Sequence, residues 1–370
     1  MKLSIERAAL LRSLAHVQSV VERRNTIPIL SNALIEATQG ALAITATDLD
    51  IEIVEKMDTK VARPGAVTAP AHMLYDIVRK LPEGALLTLE HTGEDPRLVL
   101  SAGRSRFQLA SLPRDEFPSM AASDLPHAFA VSVDTLKRLI DRTRFAISTE
   151  ETRYYLNGIY FHPLPDKKVL RAVATDGHRL ARCDAELPKG AERMGGIILP
   201  RKTVNEVRKL LDDAEGMVEI ALSDSKIRFE IGGIVLTSKL IDGTFPDYER
   251  VIPQQTGHVL SFEGPQLKAA VDRVAAVSTE RARAVKLSLE SERLTLTVNN
   301  PDSGTATEEI VVSYEAEPIE IGFNAKYLLD IMDQLTGTEA RLYVTDAQSP
   351  TVIRDAADEG VLYVLMPMRV

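Results

Sequence analysis

The feature that most constrains this chain is a threefold internal repeat, because a repeat fixes the architecture before any single element is assigned. A short alternating strand followed by a helix occurs three times, as LSIERAALLRSL (3–14), FAVSVDTLKRLI (129–140) and LSFEGPQLKAAV (260–271). Leu10, Leu136 and Leu267 hold the same place in the three copies. The chain is therefore a divergent triplication of one domain.

A second repeated unit follows later in each copy, as PAHMLYDIVRKL (70–81), PRKTVNEVRKLL (200–211) and NAKYLLDIMDQL (324–335). Its apolar residues recur at spacings of three and four, which predicts a helix with one buried face. Pro70 and Pro200 are expected in the first turn of their helices, and Asn324 is expected as an N-cap.

Runs of alternating residues between these helices predict strands, for example over 41–47, 168–174 and 294–298. Two helices and several strands per copy, without regular helical crossovers, predict an α+β fold in which two helices pack on mainly antiparallel sheets. The 370 residues divide into expected domains at 1–125, 126–253 and 254–370.

Composition narrows the class of protein. The formal net charge is −9, and this argues mildly against a nucleic-acid binder, which is usually basic. The one cysteine, Cys183, excludes an intramolecular disulfide and a cysteine-only metal cluster. The chain shows no membrane-length apolar run and no signal peptide at its start, so we expect a cytoplasmic protein.

The net charge is unevenly distributed. The six helical windows of twelve residues (5–16, 70–81, 131–142, 200–211, 262–273 and 324–335) together carry +5, and the other residues carry −14. One interpretation is that exposed helix faces ordinarily carry Lys and Arg. The other is that equivalent helices face a common surface that meets a polyanion while the acidic remainder repels non-specific contacts.

Catalytic motifs are scarce. The sequence contains no zinc-protease spacing, phosphate loop, dinucleotide fingerprint or nucleophile elbow. The acidic pairs at 48–50 and 212–213 could bind a divalent ion, but such pairs are more typical of a solvated surface than of a metal site. The segment 174–180 has two interpretations: an acid–base site using Asp176 and His178, or a type I′ hairpin turn duplicated from 46–50. The duplication favours the turn, and Cys183 is expected in the core.

The chain end, 366–370, also has two interpretations. An apolar tail can finish a strand in the core, and methionines at a chain end can line an adaptable groove for several partners.

Nine segments in order resemble one family over the whole chain: TIPIL (26–30), GRSRF (103–107), RYYLNG (153–158), ATDGHRL (174–180), PRK (200–202), TSKL (237–240), FPDY (245–248), IGFN (321–324) and MPMR (366–369). The chain resembles the β subunit of bacterial DNA polymerase III, the sliding clamp family. The resemblance implies three clamp-type domains and a head-to-tail homodimer that closes a ring around duplex DNA, with helices lining the hole.

The implied function is that of a non-catalytic processivity factor, without cofactor or metal, that holds DNA through phosphates and not by sequence. It would tether DNA polymerase III, the clamp loader and other polymerases and repair proteins through a groove for short peptides with apolar anchors. The alternative is a peptide-binding scaffold that does not encircle DNA.

The resemblance also implies roles for individual residues. The residues implied to contact DNA are Arg24, Tyr154, Tyr155, Arg201 and Lys202. The residues implied to form the peptide groove are Leu156, Thr175, Gly177, His178, Arg179, Leu180, Pro246, Val251, Val364, Met366, Pro367, Met368 and Arg369. The residues implied at the subunit interface are Ile77, Leu81, Phe107 and Leu109 of one subunit, meeting Ala276 and Val277 of its neighbour.

Two acidic residues depart from the family pattern. Glu249 stands where many relatives carry a basic residue, and Glu150 places an acid near a surface expected to meet DNA. We carry no function onto either position.

Overall fold

A computed structural model describes residues 1–93, 96–121, 123–253, 257–278 and 284–370. The chain forms two compact units. The first contains Met1–Val133, Pro188–Arg193 and Lys202–Leu240, and the second contains Asp134–Leu187, Met194–Arg201 and Ile241–Val370. The middle copy of the repeat is therefore shared between both units.

Within the described residues, six α-helices overlap the six windows that the repeats predict. Their bounds are α1 (Arg7–Gln18), α2 (Ala71–Lys80), α3 (Val133–Asp141), α4 (Arg201–Leu210), α5 (Gly264–Ala275) and α6 (Ala325–Met332). Helices α1 and α5 each extend two residues past their windows.

The helix stripe is buried as its periodicity predicts. Leu74, Val204 and Leu328 are at most 1% exposed. Asn324 caps α6, because its side chain accepts hydrogen bonds from the backbone N–H groups of the first turn. The prolines differ slightly from expectation. Pro70 and Pro200 end the strands that precede α2 and α4, one residue outside each helix.

The first unit contains two antiparallel sheets. The five-stranded sheet has the order β5 (Lys60–Arg63), β1 (Lys2–Glu6), β7 (Leu86–Glu90), β8 (Arg97–Ala102), β9 (Ser105–Ala110). The eight-stranded sheet has the order β10 (His127–Ser132), β15 (Met217–Leu222), β16 (Lys226–Ile231), β17 (Ile234–Lys239), β4 (Ile51–Asp58), β3 (Ala41–Thr47), β2 (Asn32–Thr38), β6 (Gly65–Pro70). The pairing of β17 with β4 joins copy two to copy one.

The second unit also contains two antiparallel sheets. The nine-stranded sheet has the order β14 (Ile197–Pro200), β11 (Gly158–Leu164), β12 (Val169–Thr175), β13 (Arg179–Glu186), β26 (Val361–Leu365), β25 (Thr351–Asp355), β24 (Glu339–Val344), β18 (His258–Glu263), β22 (Ser313–Tyr314). The four-stranded sheet has the order β21 (Gly304–Val311), β20 (Arg293–Asn300), β19 (Ala284–Glu290), β23 (Ile319–Asn324). Here β13 of copy two pairs with β26 of copy three, so each inter-copy joint is spanned by one continuous sheet.

The duplicated turn is present in both copies with the same hydrogen bonds. In each, a threonine hydroxyl accepts from the residue two positions on, and the following aspartate accepts from two backbone N–H groups. The bonds are Leu49 N to Thr47 Oγ1 (3.0 Å), Asp50 N and Ile51 N to Asp48 Oδ1 (2.9 and 2.7 Å), Gly177 N to Thr175 Oγ1 (3.1 Å), and His178 N and Arg179 N to Asp176 Oδ1 (2.9 and 3.0 Å).

The predicted turn type was wrong. A type I′ turn requires positive φ at both central residues, and in 174–180 only Gly177 has positive φ, at 90°. The aspartate side chain takes over backbone hydrogen bonding in this turn, so a second left-handed residue is not required.

The domain bounds expected at 125/126 and 253/254 remain predictions from the sequence. Residue 254 lies outside the described residues. No helix in the described part of the chain combines the length and apolar character that crossing a membrane requires.

Candidate functional site

The main candidate site is a groove in the second unit, with a cavity volume of about 320 Å³. Its lining comes from the turn between β12 and β13, the end of β26, the segment 153–156 and the segment 246–251. The lining residues are Arg153, Tyr155, Leu156, Thr175, Gly177, Arg179, Leu180, Pro246, Asp247, Tyr248, Val251, Val364 and Met366. Nine of the thirteen residues that the resemblance assigned to a groove therefore surround one cavity.

The groove floor is apolar because it continues a buried cluster. Leu156, Leu180 and Val364 are at most 4% exposed and pack with the cluster that also contains Phe245 and Tyr248. The pairing of β13 with β26 places Leu180 directly opposite Val364. In contrast, Val251 at 50% and Met366 at 38% exposed project from the rim. An exposed apolar rim over a packed apolar floor is suited to apolar anchors of a ligand.

Arg179 holds one wall of the groove. Its guanidinium donates to Asp176 Oδ2 (3.1 Å), Asp330 Oδ2 (2.5 Å) and the carbonyl of Phe145 (2.7 Å). It also lies over the ring of Tyr327, 4.3 Å from the centroid. The side chain is 9% exposed, so its charge is compensated by these partners and not by water.

Arg153 lines the groove and contacts the turn between β12 and β13. Its Nη2 donates to the carbonyl of Asp176 (3.0 Å), and its Nε donates to Glu150 Oε2 (2.8 Å). Gly177 has a φ of 90°, which favours glycine, and a Cβ at this position would lie 2.5 Å from Arg153 Nη1, so a larger residue would displace the guanidinium. The ion pair with Arg153 lowers the pKa of Glu150. Glu150 thus supports a groove residue.

A polar network lies behind Tyr248. Its hydroxyl accepts from Arg171 Nη1 (3.2 Å) and is 2.9 Å from His162 Nε2. Arg171 also donates to Asp184 (2.7 and 2.8 Å) and to Glu249 Oε1 (3.0 Å). Burial raises the pKa of Tyr248, and burial together with the charge of Arg171 lowers the pKa of His162. Glu249 therefore helps to compensate the positive charge of the buried Arg171 side chain.

The alternative acid–base site is not assembled. The Asp176 carboxylate accepts backbone N–H groups and the Arg179 side chain, and His178 stacks on Tyr327 with ring centroids 6.2 Å apart. Cys183 is fully buried, and burial raises the pKa of its thiol to about 12, so the prediction of a core cysteine is confirmed. Within the described ranges, no three His, Cys, Asp or Glu side chains are grouped to hold a metal ion.

Four residues assigned to the groove lie outside its lining. His178 is exposed on the turn, and Pro367, Met368 and Arg369 continue past β26. Met368 forms an isolated β-bridge with Gly322. The tail therefore leaves the groove after Met366 and runs toward β23.

The residues assigned to DNA differ in their availability. Arg24 and Arg201 are exposed, and Arg201 begins α4 as expected. Tyr154 is 53% exposed and packs edge-on against Tyr155, which lines the groove.

The ammonium group of Lys202 already has three acceptors. It donates to the carbonyl of Val20 (3.1 Å), to Asp48 Oδ2 (2.6 Å) and to Glu22 Oε1. An ammonium group has three donors. A phosphate therefore has to displace one of these acceptors to bind Lys202.

The residues assigned to a subunit interface also differ in exposure. Leu81 and Leu109 are 8% and 4% exposed within the chain itself, and Ile77 and Phe107 are half-buried. Ala276 and Val277 follow α5, the first exposed and the second half-buried.

Sequence reasoning did not assign Arg153, Asp247 and Tyr248 to the groove, and it assigned Tyr155 to DNA alone. Tyr248 lies in the quoted FPDY segment and Arg153 in the quoted RYYLNG segment. Both residues therefore lie in segments that carry the resemblance. The sequence does not show that Tyr248 is directed by its hydrogen bond with Arg171 and Arg153 by its hydrogen bond with the 174–180 turn.

Three family models match the chain in succession. They are described as the N-terminal, central and C-terminal domains of the DNA polymerase III beta subunit, and they match residues 1–121, 130–247 and 249–369. The chain belongs to the DNA polymerase III beta subunit family, the beta sliding clamps.

Individual sliding clamps are similar over the full length. The chain is 55% identical to the beta sliding clamp of Caulobacter vibrioides and 39% identical to that of Escherichia coli, with 100% of each chain covered. Among solved structures, a Bartonella birtlesii sliding clamp bound to griselimycin matches with a TM-score of 0.97 and 50% identity over 100% of both chains. A Caulobacter crescentus clamp with polyethylene glycol bound matches with a TM-score of 0.97 and 55% identity, covering 100% of this chain and 99% of the other. The chain therefore has the three-domain beta-clamp fold.

Replacing Arg179 tests whether its buried ion pairs hold the groove wall. Arg179→Ala leaves Asp330 and Asp176 without their cation, and we expect the free energy of unfolding to fall by about 3 kcal/mol. Urea denaturation measures the change. Arg250→Ala is the matched control, because Arg250 lies beside the groove with a side chain 84% exposed, and its loss should cost less than about 0.5 kcal/mol. Equal costs for the two variants would contradict this account of the wall.

Proposed function

We propose that this protein is the processivity clamp of its replication machinery, a homodimeric ring that encircles duplex DNA. The observation that carries the proposal is full-length membership of the beta sliding clamp family in all three domains. The ring retains the polymerase by topology, so it needs only weak contacts with DNA.

DNA binding is proposed to be electrostatic and independent of sequence. The helical windows are net positive within an acidic chain, which favours phosphate contacts on the helix side and discourages them elsewhere. Arg24, Arg201, Lys202, Tyr154 and Tyr155 are the proposed contacts.

The groove is proposed to bind short peptides from DNA polymerase III, the clamp loader and other replication and repair proteins. Leu156, Leu180 and Val364 supply the floor for apolar anchors, and Val251 and Met366 supply a rim that can repack around different sequences. Griselimycin, with which a Bartonella birtlesii clamp was solved, is proposed to occupy the same groove here.

The protein is proposed to act without catalysis of its own and in the cytoplasm. The engagement of Asp176 by its own turn and by Arg179 supports a structural role for the segment that most resembled an active site.

The subunit interface is proposed to form between two edge strands. β9 is one edge of its five-stranded sheet, and β21 is one edge of its four-stranded sheet. Unpaired edges are suited to pairing with another chain. β9 carries Arg106, and β21 carries Glu309, while Glu308 of β21 is already bound to Arg273 of its own chain. Glu309 is therefore the acid proposed to complement Arg106 in a head-to-tail arrangement. Phe107 of β9 would then pack near Ala276 and Val277 of the neighbour.

A substitution at Phe107 tests this interface. Phe107→Asp places a carboxylate in a contact that should be apolar, and the dimer dissociation constant should rise by about 100-fold or more. Sedimentation equilibrium measures the constant. Met217→Asp is the control, since Met217 is 55% exposed on β15 of the eight-stranded sheet, which contains neither of the two proposed edge strands. A Phe107→Asp protein that dimerises as tightly as the control would contradict the proposed interface.

Salt dependence separates direct phosphate contacts from internal ion pairs. Arg24→Ala should reduce the slope of log K against log salt by about 0.9, the loss of one phosphate contact. Lys202→Met should reduce it by less, because the lysine is already bound to Asp48, Glu22 and Val20. Fluorescence anisotropy with a short DNA duplex gives both slopes. Arg293→Ala is the control for the loss of one positive charge at a site on β20, away from the proposed DNA contacts, and it should leave the slope unchanged. A slope change for Lys202→Met equal to that of Arg24→Ala would show that a phosphate displaces these partners.

A further inference from the structure

One side of the groove is formed by a short 3₁₀ helix, Tyr248–Val251, which is called here the wall turn. Its first and last residues both line the cavity. Tyr248 is 6% exposed and belongs to the buried cluster that continues the groove floor, whereas Val251 projects at the rim. A 3₁₀ segment this short has few and poorly aligned backbone hydrogen bonds of its own. Its position therefore depends on the side chains that attach it to the sheet.

The attachment on the sheet side is Arg171 of β12, whose side chain is 3% exposed. Its Nη1 donates to the Tyr248 hydroxyl (3.2 Å) and to Glu249 Oε1 (3.0 Å). One nitrogen thus binds two consecutive residues of the wall turn. Its Nε and Nη2 donate to the two carboxylate oxygens of Asp184 (2.7 and 2.8 Å), which faces Arg171 from β13. This paired contact fixes the plane of the guanidinium and aims Nη1 at the wall turn.

Arg171 lies on the groove side of the sheet. Residues two apart along a strand point to the same side, and Arg171 is two residues from Val173 on β12. Val173 packs in the buried cluster with Leu156 and Leu180 of the groove floor. The guanidinium therefore connects the strand under the floor to the wall turn.

Glu249 acts on this connection from outside the cavity. Its side chain is 56% exposed, and among the described residues that line the groove Glu249 does not appear. Its carboxylate can therefore be altered without removing an apolar contact from the groove or a packed group from the core. What such a change removes is one of the two carboxylates that compensate the Arg171 charge.

We propose that Glu249 is a positioning residue for peptide binding: its ion pair with Arg171 holds the wall turn in the conformation that receives an apolar anchor. The inference rests on the proposed function of the groove. When the ion pair is lost, the wall turn spends part of its time away from the sheet, and only the remaining fraction of the protein is competent to bind. The apparent dissociation constant then rises by the inverse of that fraction, by the same factor for every peptide.

A direct contact between Glu249 and the peptide would give a different pattern. A carboxylate beside a bound peptide attracts basic residues and repels acidic ones, so its removal would weaken one peptide and strengthen the other. Two peptides with the same Leu and Phe anchors, one flanked by three Asp and the other by three Lys, therefore distinguish positioning from contact.

The experiment measures both labelled peptides on the full-length protein by fluorescence anisotropy at about 0.15 M salt, where distant charges are largely screened. Glu249→Gln should raise both dissociation constants by about threefold, because a partly exposed ion pair makes a modest contribution. Glu249→Arg sets a second cation against Arg171 and should raise both by about tenfold or more. Glu290→Gln is the matched control, since it removes a carboxylate from the exposed ion pair with Arg293, and it should change neither constant.

Two further measurements separate positioning from a general loss of structure. Glu249→Gln should keep nearly the wild-type midpoint of urea unfolding, so that weaker binding reports the groove and not a smaller folded fraction. In an Arg171→Gln background, adding Glu249→Gln should change the dissociation constants by less than about 1.5-fold, because the cation that Glu249 holds is already gone.

The contrary outcomes are distinct. If both peptides bind Glu249→Gln and Glu249→Arg as tightly as wild type, the inference is overturned while the groove stands. Opposite changes for the Asp and Lys peptides would make Glu249 a contact residue and would also overturn it, as would a full loss on adding Glu249→Gln to Arg171→Gln. If neither peptide binds wild type, the proposed function of the groove fails and the inference fails with it.

Discussion

The pairing of β13 with β26 is the interaction on which the candidate site depends. It joins a strand of the middle copy to the last strand of the chain, and it sets Leu180 against Val364. The groove floor and the Arg179 wall that begins β13 take their positions from this one register. Since a slip of one residue would turn each of these side chains to the other face, the register must be strongly specified, and the buried cluster around Phe245 and Tyr248 supplies that specification.

Two acids that looked out of place have structural partners. Glu249 is bound to Arg171, and Glu150 is bound to Arg153, so each serves an arginine of the groove or its support. In both cases the substituted acid adds an ion pair on the groove side.

The sequence predicted the local structure well because periodicity and turn chemistry are local properties. The six helix windows, the Asn324 cap, the duplicated turn and the buried Cys183 were all predictable in this way. Strand pairing across the copies was not, because β13 and β26 lie far apart in the chain and no local pattern encodes their register. The groove residues were predicted from the family resemblance. Arg153 and Tyr248, which also line the groove, were missed because long side chains take their directions from tertiary partners.

The central claim is that the protein is held on DNA by topology. The most direct test loads the protein onto nicked circular DNA with its clamp loader, and then measures retention before and after the circle is cut at one site. The account predicts that the protein stays on intact circles in moderate salt and leaves soon after linearisation, as it slides off the ends. Equal retention on circular and linear DNA would contradict the ring and would favour a peptide-binding scaffold that never encloses DNA.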